Sequence, residues 1–228
     1  MLMHPRTSSV VELQEQTIEG LHDFLMATVL SRYAVQGGQA IDLGAGSGAL
    51  ALRLRMLGLD VVAADINAEG FRADVPFTPL SLNGQDFASR LKGPFDLVTA
   101  VEVIEHLESP VGFLRNVRRL LKPRGVAVIT TPNVDSAPAR LKFFLYGTLR
   151  LMDERGDRTH ISPIFWDMLT RQYLPRAGLN LVEHHPYPPR GYKATRRHYA
   201  WVFSILAGLL PGDTLLGDNH VLVLRPGA

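Results

Sequence analysis

Glu102-Val103-Ile104-Glu105-His106-Leu107 sets two carboxylates and an imidazole within five positions. If the chain turns helical there, positions 102, 105 and 106 stand at i, i+3 and i+4 and share one face. Such a face can hold a divalent cation or relay a proton. The plainer alternative is a helix-start acid beside a hydrogen-bonded histidine. The 228 residues include no cysteine, which excludes disulfides, thiolate zinc sites, iron–sulfur clusters and a cysteine nucleophile. Any metal must therefore use His, Asp or Glu.

A second chemical signal is Asp42-Leu43-Gly44-Ala45-Gly46-Ser47-Gly48, which ends one apolar run and opens the helical pattern SGALALRLRMLG. Glycine lets the backbone approach a ligand closely, and the N–H groups of a helix start attract an anionic or polar group. A nucleotide-like cofactor is indicated. Asp65 closes the next apolar run, 19 residues after Gly46, where a carboxylate can accept hydrogen bonds from both ribose hydroxyls. Gly44, Gly46 and Ala49 also fit a dinucleotide fingerprint, and a tight turn without a ligand has the same composition.

These groups need rigid elements behind them. AIDLG, LDVVAAD, FTPLSL, FDLVTAV and GVAVITT read as five strands, with helical patterns at Ser47–Gly58, Gln85–Leu91 and Val111–Leu121. Strands alternating with helices predict a parallel sheet covered on both faces. Val10–Leu30 reads as an amphipathic helix packed across one end of that sheet, and Lys122–Gly125 as the turn before the fifth strand. Later, Ala139–Leu151 and Pro163–Arg176 look helical. Leu179–His184 and His220–Pro226 make sixth and seventh strands, separated by a long insertion, Pro186–Asn219. The expectation is one α/β domain over 1–228, with a Rossmann-like, mostly parallel seven-stranded sheet and helices on both faces. It divides into an N-terminal helical segment (1–37), a cofactor-binding core (38–134) and acceptor-side helices, insertion and last strands (135–228).

Composition agrees, since 46% apolar and 20% charged residues support a sizeable core and exclude a disordered chain. The net charge of +2 is unevenly spread. Ser136–Trp201 holds 11 Lys and Arg against five Asp and Glu, which makes the late third basic. There, Lys193, Arg196 and Arg197 precede an apolar helix candidate. Basic residues mixed with aromatics can grip phosphates, stack on bases or sit at a membrane surface through 192–210; the bland reading is a solvated turn before a core-covering helix. Tyr199–Leu210 is too short to span a bilayer. The opening residues lack an apolar signal core, so a cytoplasmic location is expected.

Taken together, Asp42, the three glycines, Asp65 and FDLVTAVEVIEHL resemble class I S-adenosylmethionine-dependent methyltransferases over about residues 38 to 134. The resemblance implies S-adenosylmethionine as cofactor. Gly44, Ala45 and Gly46 would lie against its methionine part, Asp42 would help hold its amino group, and Asp65 with Ile66 would take the ribose side. Asn83, beside the adenine, and Val101 would complete the wall. Two Glu and a His with a distant His160 further resemble metal-dependent O-methyltransferases. This implies that Glu102, Glu105, His106 and His160 hold a divalent cation (Mg, Mn, Fe or Zn), or that Glu102, His106 and His160 serve catalysis directly, with a histidine as base.

The expected reaction is O-methylation of a small-molecule, glycan or lipid-linked hydroxyl, with an anionic acceptor favoured by the basic late third. RNA 2′-O-methylation and a non-catalytic cofactor-binding module are the alternatives. A nicotinamide-dependent oxidoreductase would need a hydride-transfer site, for which no Tyr/Lys pairing is evident.

Overall fold

The computed structural model describes residues 13–152, 157–195, 197–209 and 214–227. Seven strands form one sheet: β1 (Gln39–Leu43), β2 (Asp60–Asp65), β3 (Phe77–Pro79), β4 (Phe95–Ala100), β5 (Leu121–Pro132), β6 (Leu179–Tyr187) and β7 (Asn219–Pro226). Their spatial order is β3-β2-β1-β4-β5-β7-β6. The first five are parallel, and β7 inserts antiparallel to both β5 and β6.

Parallel strands are covered on both faces, so each side of the pleat is apolar. Ile41, Leu43, Val98, Ala127, Ile129, Leu222 and Leu224 pack into one core with Phe113, Leu114 and Val117 of α3 (Pro110–Leu120). Their alternates Ala40, Val61, Leu97, Val126, Val128, Val221 and Val223 pack into the other, with Leu50, Ala51 and Leu54 of α2 (Ala49–Met56). The helix α1, made of the contiguous runs Leu21–Leu25, Met26–Leu30 and Ser31–Tyr33, also covers this second face through Leu21, Leu25, Val29 and Leu30. Ser109 caps α3, its hydroxyl accepting the Gly112 N–H at 3.2 Å, and Pro110 suits the first turn.

Several boundaries differ from expectation. The first helix starts at Leu21 rather than Val10. Residues 13–20 instead run over the glycine turn, where the Ser47 hydroxyl donates to the Gln14 carbonyl at 2.7 Å and Arg53 pairs with Glu15. Val10 to Glu12 lie outside the described residues. Lys122–Gly125 is not a turn before a strand but a bulge within β5: Phe95 pairs with Leu121 and Leu97 with Val126. The third strand stops at Pro79, and Gln85–Leu91 contributes only a 3₁₀ turn at Phe87–Arg90.

In the late third, α4 (Ala137–Tyr146), α5 (the contiguous runs Trp166–Met168, Leu169–Tyr173 and Leu174–Ala177) and α6 (Arg197–Leu209) surround the β6–β7 end of the sheet. Polar anchors tie this region together. Asn133, fully buried, donates its amide to the carbonyls of Thr214 at 2.8 Å and Leu216 at 2.9 Å, while its Oδ1 accepts the Asp135 N–H at 3.0 Å. Buried Asp218 accepts the Lys193 and Ala194 N–H groups and pairs with Arg150 at 2.8 Å. Asn133→Ala leaves these carbonyls unpaired inside the protein, so urea denaturation is expected to show a stability loss of about 2–4 kcal/mol; a midpoint equal to wild type would contradict the anchor.

Candidate active site

In the order β3-β2-β1-β4-β5, the chain leaves β1 for one face of the sheet and β4 for the other. No connection covers the gap between their carboxyl ends, and this is where open α/β sheets bind ligands. A cavity of about 490 Å³ occupies the place. Asp42, Gly44, Ala45, Gly46, Asp65, Ile66, Asn83 and Val101 all line it, together with Glu102, His106 and Asp157.

The turn after β1 must be glycine. Gly44, Gly46 and Gly48 have φ of 70°, 53° and 88°, a region L side chains avoid. A Cβ at Gly46 would also stand 2.6 Å from Gln16 Oε1, and one at Gly44 would collide with Val103. Gln14, Gln16, Thr17 and His22 close the cavity over this turn. Sequence patterning missed them because it read the segment as helix.

Asp65 is preset by two amides: Oδ2 accepts the Gly46 N–H at 2.9 Å and Oδ1 the Asn67 N–H at 2.7 Å. Each oxygen keeps accepting capacity toward the cavity. Asp42 lies buried under the turn, and Thr99 donates to its Oδ1 at 2.7 Å. Burial pushes its carboxyl up to about 7, against the Thr99 bond, which favours the charged form. Asn83 Oδ1 accepts the Glu108 N–H at 2.9 Å, joining the loop after β3 to the loop after β4.

The EVIEH segment departs from the helical expectation. Only Ile104–His106 is helical, as a single 3₁₀ turn, and Glu102 has φ of 55°. That left-handed conformation is held in place by Thr130: its Oγ1 accepts the Glu102 N–H at 2.9 Å and donates to Oε1 at 2.7 Å. Asn219 Nδ2 donates to Oε2 at 2.6 Å. Glu102 stands apart from the expected four-ligand set: β5 and β7 bond its two oxygens, and the ligand atoms that converge among the described residues are those of Glu105, His106 and His160. Burial raises its carboxyl to about 7 despite these bonds.

Glu105, His106 and His160 do converge, with ligand atoms all within 4.8 Å of one another. Glu105 is 1% exposed, and neither of its oxygens makes a hydrogen bond of good geometry, the nearby Thr131 hydroxyl being a weak side-chain donor. Burial, with the charge of Glu102 second, holds its carboxyl well above the usual range. The Glu105 carbonyl accepts the Ile161 and Ser162 N–H groups, both at 2.9 Å, which pins the loop carrying His160 against the 3₁₀ turn. The two imidazole rings meet edge to face at 4.6 Å.

Each ring is oriented through Nδ1: His160 donates it to the Leu151 carbonyl at 2.7 Å, and His106 Nδ1 stands 3.2 Å from the Thr159 carbonyl. In the neutral rings this leaves both Nε2 atoms as lone-pair donors. His160 Nε2 lies 4.0 Å from Glu105 Oε1 and 3.8 Å from Asp157 Oδ2. Desolvation lowers the His160 pKa, which favours the neutral ring. Asp157 was missed in the sequence; its one signal is its place three residues before His160. A buried carboxylate facing two imidazoles can hold a cation, or share a proton without one.

Of the expected basic grip, only the side chain of Lys193 is among those described. Lys193 Nζ donates to the Glu19 carbonyl at 2.6 Å and stacks over Tyr187, on the N-terminal segment. Arg196 lies outside the described residues. His184 and His185 on β6 bond to His220 at 2.9 Å and Glu183 at 2.8 Å.

A family model described as a methyltransferase domain matches residues 13–184. Over 127 residues the chain is 29% identical to a ubiquinone biosynthesis O-methyltransferase of Xanthomonas oryzae pv. oryzae, covering 52% of this chain and 53% of that protein. The protein of the same name from Caulobacter vibrioides is 31% identical over 113 residues, 45% of this chain and 44% of its own. The chain thus spans about half the length of the curated relatives it matches. Among solved structures, a SAM-dependent methyltransferase from Archaeoglobus fulgidus superposes with a TM-score of 0.60 at 16% identity, covering 90% of this chain and 92% of the other. An S-adenosylmethionine-dependent methyltransferase from Clostridium acetobutylicum gives 0.56 at 12% identity, with 91% of each chain covered.

Proposed function

The chain belongs to the class I S-adenosylmethionine-dependent methyltransferases, and from that premise we propose that it methylates a hydroxyl oxygen of a small-molecule or lipid-linked acceptor. One observation carries the reading: a single cavity has the glycine turn and Asp65 at one end and Glu102 and His106 at the other. The O-methyltransferase relatives support oxygen as the acceptor atom.

The residues fit the cofactor. Glycine at 46 keeps the turn free of a Cβ that would fill the cradle, and the two preset oxygens of Asp65 suit a ribose diol. Asp42 supplies the charge for the cofactor's ammonium, and Ile66, 75% exposed beside Asp65, offers an apolar face to the adenine. Bound S-adenosylmethionine supplies the methyl electrophile. The protein must place the acceptor oxygen in line and remove its proton. With no cation bound, His106 Nε2 is the base, because the Thr159 contacts occupy Nδ1 and orient the ring.

Glu105, His106 and His160 also fit a divalent cation, on the observation that both Glu105 oxygens are buried without a well-formed hydrogen bond. Glu105 and the two Nε2 atoms would be its ligands, a mixed oxygen and nitrogen set suited to Zn, Fe or Mn. A cation there would lower the pKa of the acceptor hydroxyl.

Three outcomes are expected. By calorimetry, Asp65→Ala weakens S-adenosylmethionine binding about 10- to 100-fold, the worth of a pair of hydrogen bonds, and Gly46→Val abolishes it; equal binding by wild type and both variants would falsify the cofactor assignment. Asp42 is protonated below about pH 7 in the free protein, and an adjacent ammonium requires the ionised form. Binding then releases a proton, so affinity is level above that pH and falls by up to about tenfold per unit below it. Asp42→Asn flattens the profile; a wild-type profile that is already flat removes Asp42 from the ammonium site. Titration with Zn²⁺ or Mn²⁺ gives saturable uptake that Glu105→Ala and His160→Ala each weaken by about tenfold or more. Uptake unchanged in both variants would leave His106 as a metal-free base.

A further inference from the structure

The largest cluster of exposed apolar side chains lies away from the cofactor cavity. Of the seventeen large apolar residues that stand exposed among the described residues, ten belong to α4 and α6. Phe144 is 83% exposed, Tyr146 74%, Trp201 68% and Leu209 76%. The two helices pack against each other, which joins these side chains into one surface. A helix that merely covers a core turns polar residues outward. Here α6 buries Ala207 and half-buries Phe203 against Tyr192, while its outer face carries tryptophan and leucine. Apolar surface gathered in this way marks an interaction site.

Charge identifies the occupant. Residues 136–152 contain Arg140, Lys142 and Arg150 with no acidic residue, and residues 190–212 contain Arg190, Lys193, Arg196 and Arg197 with none. Arg150 and Lys193 reach inward, to Asp218 and the Glu19 carbonyl; Arg140 bonds the Asp135 carbonyl with its side chain still 58% exposed, Arg190 is exposed and Lys142 half-buried. A second copy docked symmetrically would set these cations against themselves. An anionic bilayer instead offers an apolar layer for the aromatic residues and negative headgroups for the Lys and Arg around them. At 13 residues α6 is too short to cross a membrane, and no helix among the described residues is long and apolar enough to do so. A short helix with exposed Trp and Leu suits the interfacial plane, where aromatic side chains anchor.

We propose that α4 and α6 form a docking surface for an anionic lipid bilayer, with both helices lying in the headgroup plane. A second cavity of about 320 Å³ opens just after α4, between Leu149, Met152, Ile161, Pro163 and His160. His160 belongs both to this cavity and to the His106–His160 pair, so a lipid-linked acceptor held at the surface beside α4 would lie next to the site. The docking stands on the surface alone; the delivery of an acceptor rests on the methyl-transfer reading.

Flotation of the full chain with phosphatidylcholine vesicles, with and without phosphatidylglycerol, tests the proposal. Partitioning is expected to rise about tenfold or more on the anionic vesicles and to fall with added salt. Phe144→Asp and Trp201→Asp, both at exposed positions, should each lower it about tenfold or more, with thermal melting and S-adenosylmethionine affinity unchanged. Failure to float, equal recovery on neutral and anionic vesicles, or variants that float like wild type would overturn the docking. So would a dimer in analytical ultracentrifugation that either variant dissolves, because the occupant would then be a second copy. Loss of cofactor binding by the wild type bears only on the methyl-transfer reading.

Discussion

Two parallel strands whose exits turn to opposite faces cannot close the space between their ends, and the glycine turn, Asp65, Glu102 and His106 collect around that space. The β1 exit brings a glycine turn with its amides exposed, and the β4 exit brings the Glu102–His106 segment. The same divergence forces α2 and α3 onto opposite sides, so each face of the sheet gains its own core. Site and stability come from one topological fact.

Three carboxylates stand at or beside the opening, Asp42 and Glu105 buried and Glu102 half-buried, each treated differently. Asp42 has the Thr99 hydroxyl, Glu102 has Thr130 and Asn219, and Glu105 has no partner in good geometry. Burial raises all three, since a charge inside the protein is stable only when bonded or paired. The contrast separates a carboxylate that shapes the backbone from one left without a well-formed hydrogen bond. Glu102 belongs to the first kind: its left-handed φ persists because Thr130 grips both its amide and its carboxylate.

The late third does two jobs with one set of anchors. Asn133 and Asp218 hold the segments beside β7, and β7 in turn carries Asn219 to Glu102. With the sheet edge secured in this way, α4 and α6 are free to turn their apolar faces outward.

The parallel core was legible in the sequence because its signals are local. Strand runs, glycine punctuation and the 19-residue step from Gly46 to Asp65 each depend on neighbours in the chain. All eight residues expected around the cofactor line one cavity for that reason. Where sequence reasoning failed, the deciding partner was remote. Residues 13–20 run over the turn without forming a helix because Arg53 and Ser47 hold them there, although their spacing looks helical. Glu102 matched the ligand pattern by position, yet Thr130 and Asn219, 28 and 117 residues away, claim its oxygens. The outward face of α6 was equally hidden: apolar helices read alike whether they cover a core or face outward, and only the packing of neighbours tells which. Residue type and local spacing determined which groups were available for chemistry; long-range hydrogen bonds and burial decided which of them were left free to perform it.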